Sequence, residues 1–170
     1  GYAMKILILL LLTSSAHASA IAVEDFMGRT VRLNTPAQRI VALAPHIVEN
    51  LFSAGAGEKI VGVVSYSNFP DGAKSIDVVG NFQSWSLEKI ISVRPDLVLM
   101  WGSGNGTGTL ATLEKLGIPI FVSDPRTLAD IPDTIRAIGI LAGTQSVSES
   151  EALRLETEIA HLHSQYHGKM

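Results

Sequence analysis

Ser84-Trp-Ser-Leu-Glu-Lys-Ile-Ile-Ser-Val-Arg-Pro-Asp-Leu-Val-Leu-Met-Trp-Gly-Ser-Gly-Asn-Gly-Thr-Gly108 reads as a short helix, a tight turn, a buried strand and a glycine loop. Ser86 can cap a helix over residues 87–93, because its hydroxyl accepts from an orphan backbone N–H. Leu87, Ile90 and Ile91 fall at i, i+3 and i+4 and predict one apolar face. Glu88 lies in the first turn, where a carboxylate suits the helix dipole. Pro95 biases Arg94 away from helical angles and stops the helix. Residues 97–100 are then continuously apolar, as in a strand buried on both faces of a parallel sheet. Ligands of such sheets collect at the carboxyl ends of the strands. Trp101 and Gly102 stand at that end, so a binding surface is expected there.

Outward from this stretch, strands alternate with helices. Residues 21–25 and 30–33 flank Met27-Gly28-Arg29 as a small hairpin. Residues 39–43 read as a buried strand. Pro45 and His46 open a helix, with proline suited to the first turn, and Gly55 stops it. Residues 59–64 form the next strand, 65–72 a loop at its carboxyl end, and 78–83 a second loop leading to the Ser86 helix. Downstream, Leu110, Leu113, Leu116 and Gly117 mark a helix and its terminal glycine. Residues 118–122 are a strand, with Pro119 placing it at an edge or at the strand's first residue. Residues 128–141 are a helix capped by Thr127 or Asp130. Ser148-x-x-Glu151 reads as a capping box that opens a last helix to about Tyr166, with Leu153, Ile159 and Leu162 along part of one face. The class is α/β, with a mainly parallel sheet flanked by helices.

Residues 1–20 carry one lysine, an apolar run over 6–12 and Ala-x-Ala sites ending at Ala18 and Ala20. That pattern is a secretory signal peptide, with residues 1–3 a possible scar before it. The run falls short of the roughly 20 residues that a membrane span takes. There is no cysteine, hence no disulfide framework and no thiolate metal site. No cysteine follows the cleavage site to carry a lipid anchor, so the mature chain is expected free outside the cytoplasm. The net charge of −3 argues against a nucleic-acid surface, which needs a basic patch.

The glycine loop does not fit the phosphate-binding patterns. Gly-x-x-x-x-Gly-Lys-Ser/Thr needs a lysine, and none lies between Lys89 and Lys115. Gly102, Gly104, Gly106 and Gly108 alternate, which departs from Gly-x-Gly-x-x-Gly. What is left is a flexible strand-to-helix connection, or a loop kept low so that a large ligand lies across it. His46 and Glu49 are spaced to share a metal, and His163 and His167 lie at i, i+4, but no third ligand is evident for zinc. No nucleophile or acid–base pair is assignable, so no enzyme activity, metal centre or resident cofactor is expected. Aromatic residues do converge: Tyr66, Phe82 and Trp101 fall in loops or at a strand tip, with Trp85 beside a helix start. Such walls suit a large, flat or greasy organic ligand.

The segments Arg39-Ile-Val-Ala-Leu-Ala-Pro-His46 with Glu49, Val61-Gly-Val-Val-Ser-Tyr-Ser-Asn-Phe-Pro70, Leu87-Glu-Lys-Ile90 and Arg94-Pro-Asp-Leu-Val-Leu99 resemble the N-terminal lobe of helical-backbone (class III) periplasmic binding proteins. These serve ABC importers of cobalamin, haem, siderophores and some metals. The resemblance covers about residues 21–168. It implies a substrate lobe at 21–145 and an inter-lobe helix at 146–168, with the second lobe absent from the sequence. The pattern Tyr66, Phe82 and Trp101 is most similar to cobalamin-binding members, which carry Trp at the Phe82 place. It implies a corrinoid, or another large organic metal chelate, as ligand, held by these rings with Pro45 and His46. It also implies an ABC permease of the inner membrane as partner, docked through Glu88. The alternatives are a haem, siderophore or metal receptor using His46 or Tyr66, a chelatase-like enzyme, and a single lobe acting as an interaction module. One lobe exposes its apolar cleft wall, which invites ligand, partner or self-association, and binding by one lobe is expected to be weak or absent.

Overall fold

The computed structural model describes residues 20–167. The expected signal peptide therefore lies outside the described residues but for Ala20, as do 168–170. The hairpin forms as β1 (Ile21–Glu24) and β2 (Thr30–Leu33), paired antiparallel. Gly28 takes a positive φ of 72°, which costs a glycine little. Asp25 closes the turn, its Oδ1 accepting from the backbone N–H of Met27 at 3.0 Å and of Arg29 at 2.9 Å. Its Oδ2 accepts from Val122 N–H at 3.2 Å, which fastens the hairpin to the main sheet.

That sheet has five parallel strands, β3 (Ile40–Ala42), β4 (Ile60–Val64), β5 (Val78–Gly80), β6 (Leu97–Trp101) and β7 (Ile120–Ser123), in the order β5-β4-β3-β6-β7. The chain runs outward from β3 through β4 to β5, then returns to the other side of β3. The reversal lies between β3 and β6, and the crevice beyond their carboxyl ends is where such sheets bind ligands. The helices are α1 (Pro45–Ser53), α2 (Leu87–Ser92), α3 (Gly102–Asn105), α4 (Thr107–Glu114), α5 (Asp130–Ala142) and α6 (Gln145–His167). Alternation along β6 divides the core into two layers. Leu97 and Leu99 pack with Ile47 and Leu51 of α1 and Ile135 and Ile138 of α5. Val98 and Met100 pack with Ile90 of α2 and Leu110 and Leu113 of α4. Both faces of the strand are buried, as its unbroken apolar run predicts.

Several local expectations hold. Ser86 Oγ accepts from Lys89 N–H at 3.3 Å, and Pro45 sits at the start of α1. Arg94, next to Pro95, takes a φ of 47°.

Others are corrected. Residues 78–80, expected in a loop, are strand β5, paired with β4 through Val63 and Val78; three residues with only Val79 buried are too few to display a period. The glycine loop is helical, α3 and α4 meeting at Gly106. Each glycine costs a helix about 1 kcal/mol, so propensity points the wrong way, and hydrogen bonds from Asn105 offset it. On α2, Ile90 is buried but Ile91 is 48% exposed, since so short a helix touches the core at one residue. Neither Thr127 nor Asp130 caps α5; Asp130 instead accepts from the N–H groups of Arg126 and Thr127 at 2.8 and 2.9 Å. Ser148 is no cap either. It is buried inside α6 against Gly139, and its hydroxyl donates to Gln145 O at 3.2 Å. Beyond Ala152, Leu153 and Leu162 of the expected apolar stripe are exposed and Ile159 is half-buried, while Leu155 packs against the core.

Candidate functional site

Five strand ends deliver the candidate residues to one edge. After β3 the chain enters α1 with Pro45 and His46, both half-buried. Two residues past β4, Tyr66 is held at a φ of 67° and is 85% exposed. Two residues past β5, Phe82 is 39% exposed. Trp101 is the last residue of β6 and half-buried. Asp124 follows β7.

Three of these rings meet. The His46 ring stands edge-on to the Trp101 indole, with centroids 5.1 Å apart and planes at 87°. Phe82 lies 6.0 Å from Trp101 at 46°. Edge-on and tilted arrangements suit the quadrupoles of aromatic rings. Tyr66 shares the edge, but among the described residues it makes no ring contact with the cluster. The indole lies against the backbone of α3. A Cβ on Gly104 would fall 1.9 Å from a Trp101 ring carbon, so this glycine makes room for the ring.

The rings themselves are uncharged, and the ion pair of Asp124 and Arg126 stands beside them. Burial pushes the His46 imidazole below its usual range, with the Asp124 charge acting in the opposite direction. Its Nε2 is buried with no hydrogen-bond partner among the described residues, and a neutral ring suits that position. Burial pushes the Asp124 carboxyl up, but hydrogen bonds from Ser103 and Arg126, with the Arg126 charge, outweigh it and hold it below its usual range. Ser103 Oγ donates to the carboxylate at 2.7 Å, and Arg126 Nη2 at 3.0 Å. Grooves lined by Leu33, Pro95 and Pro119, and by Arg39, Ile60 and Asp77, open at the opposite ends of the strands. The aromatic cluster is an open shelf.

The remaining candidates are dispersed. Glu88 is exposed in the first turn of α2. That turn is tied to the same edge, since Ser86 N–H donates to Val79 O at 2.8 Å. Glu49 is exposed on α1. His163 and His167 stack 5.7 Å apart on the exposed end of α6, and among the described residues no three acidic or histidine side chains converge as a metal site. Sequence reasoning missed Asn105 and Asp124. The one trace of Asn105 was an amide residue among glycines, four positions past the strand tip.

Comparison with known proteins gives this edge a context. The vitamin B12-binding protein of Vibrio campbellii is 38% identical over 133 residues, which is 78% of this chain and 48% of that protein. The crystal structure of the periplasmic vitamin B12 binding protein BtuF of Vibrio cholerae matches 77% of this chain and 51% of its own at 37% identity, with a TM-score of 0.74. The apo periplasmic heme-binding protein RhuT of Roseiflexus sp. RS-1 matches at 31% identity, covering 74% of this chain and 48% of its own, with a TM-score of 0.66. The chain spans about half the length of the curated relatives it matches, and these relatives are binding proteins. The family model for periplasmic binding proteins matches residues 40–169, and the chain belongs to that family.

Proposed function

We propose that this chain forms the aromatic wall of a periplasmic solute receptor that captures cobalamin or a related corrinoid. The observation that carries this reading is the uncharged shelf of His46, Trp101 and Phe82 at the sheet's reversal point, with exposed Tyr66 on the same edge. A corrin ring is large, flat and largely apolar on its faces, which suits stacking on such rings. Pro45 borders the shelf at the start of α1. Delivery goes to an ABC permease of the inner membrane, with Glu88, exposed at the rim, as the docking carboxylate. Residues 1–20 direct the chain to the periplasm. No bond is made or broken in the ligand. Drug-sized ligands ordinarily have about 70–90% of their surface buried. One wall covers about half of that, so affinity in the high micromolar range is expected for this chain.

Titrating cobalamin into the folded protein while following tryptophan fluorescence tests the reading. Saturable quenching is expected, weakened about tenfold in a Tyr66→Ala, Phe82→Ala variant. A change that never saturates, or that the double variant leaves untouched, overturns it. Pairing of two copies would use the same exposed surface, and sedimentation at rising concentration with and without ligand separates that from capture.

The likeness to a heme-binding protein favours haem as a second reading. The buried Nε2 of His46 leaves the exposed Tyr66 phenol as its axial ligand. A Soret shift lost in Tyr66→Phe would support haem, and a spectrum unchanged by added haem would remove it.

A further inference from the structure

A shelf works only if rings from separate segments are held still, and one side chain joins those segments. Asn105 ends α3 with its amide between three stretches of backbone. Its Oδ1 accepts from Trp101 N–H at 2.6 Å. Its Nδ2 donates to Leu43 O at 3.0 Å and to Phe82 O at 2.6 Å. Its own carbonyl accepts from Thr109 Oγ1 at 2.7 Å, and that hydroxyl oxygen accepts from Trp85 Nε1 at 3.4 Å. The tips of β3 and β6 and the loop after β5 are thus bound through one residue.

We infer that Asn105 is the positioning residue of the shelf, setting Phe82 against Trp101 without itself touching ligand. The inference rests on the ligand reading above for its purpose, but not for its geometry. Only a carboxamide offers an acceptor and two donors in one plane. Reversing its O and N would set an oxygen against two carbonyls and an NH₂ against an N–H, so the partners fix the orientation. Aspartate keeps the acceptor and has no donor. Glutamine is one methylene too long for a site already at 2.6 Å on two sides. The Leu43 carbonyl, in the part-buried bond, would lose its donor at a desolvation cost, while the Phe82 carbonyl would face a carboxylate oxygen in place of an N–H, so the exposed Phe82 loop would turn to water and leave its place.

The test compares the parent with Asn105→Asp and Asn105→Ala by amide hydrogen exchange and by cobalamin titration, at a temperature where all three are folded. In Asn105→Asp the Trp101 amide is expected to stay as protected as in the parent. The amides of Asn81, Gln83 and Ser84 exchange about tenfold faster, and the dissociation constant rises about tenfold. In Asn105→Ala the Trp101 amide also loses protection. Loop exchange unchanged in Asn105→Asp overturns the inference whatever the ligand. A loosened loop in a variant that keeps the parent's affinity overturns it as well. A loosened loop where the parent binds no cobalamin supports the positioning role and removes the ligand reading instead.

Discussion

Gly104 sets the shape of the shelf through what it lacks. A methyl group there would fall 1.9 Å from the Trp101 ring, so Gly104→Ala is expected to swing the indole away from His46 and leave the backbone in place. Overpacking of this kind costs about 1–3 kcal/mol. Thermal melts read that loss, and near-UV circular dichroism reads the ring movement while the far-UV spectrum stays constant. His46 gives a second prediction. Burial lowers its pKa from the ordinary 6.5, so the unfolded chain binds the proton first as pH falls. Stability present above about pH 6.5 therefore declines as pH drops toward the folded value. Melting temperature should fall between about pH 7.5 and 5.5, and His46→Phe should flatten that fall; an unchanged slope contradicts a neutral buried ring. The lowered carboxylates, Asp124, Asp130, Glu149 and Glu151, act below this window. Tyr66, Phe82 and Trp101 stood out in the sequence because aromatic rings in loops or at a strand tip have few reasons to be there, whereas His46 was singled out by its spacing to Glu49 and by the family resemblance. Asn105 and Asp124 were not, because bonds to remote segments leave no period or spacing along the chain.

At the scale of elements, α5 and α6 meet at a small-residue contact. A Cβ on Gly139 would lie 1.8 Å from Ser148 Oγ. Gly139→Ala is expected to part the two helices and lower stability by about 1–3 kcal/mol in urea unfolding, and Ser148→Gly in the same chain should restore part of it. Arg136 bridges the pair, donating to Glu149 at 2.8 Å and to Glu156. Past Ala152 the helix is mostly exposed, so its amides should exchange much faster than those of α1, whose Ile47, Val48 and Leu51 are buried. Equal protection along both would contradict a helix that rests on the core only through its first turns. The central strands were readable because two-sided burial makes an unbroken apolar run. The start of α6 was misplaced because Ser148 fits both a cap and a tight helix crossing, and only the position of Gly139 decides between them. Strand β5 escaped because an edge strand of three residues owes its existence to its neighbour.

For the whole molecule, the arrangement of the sheet explains why the candidates converge. Parallel strands with helices on both faces leave only their ends free for ligand, and the reversal between β3 and β6 sets their carboxyl ends side by side beneath the shelf. Every aromatic of the shelf leaves a strand at that end, so the site is a property of the topology more than of any motif. Isotope-labelled protein titrated with cobalamin and followed by amide and indole chemical shifts tests this most directly. The account predicts saturable shifts at the Trp101 indole and at the amides of Tyr66, Phe82 and Asn105. Shifts confined to the opposite ends of the strands, around Pro95 and Pro119, or no saturable shift at all in folded protein, would contradict it.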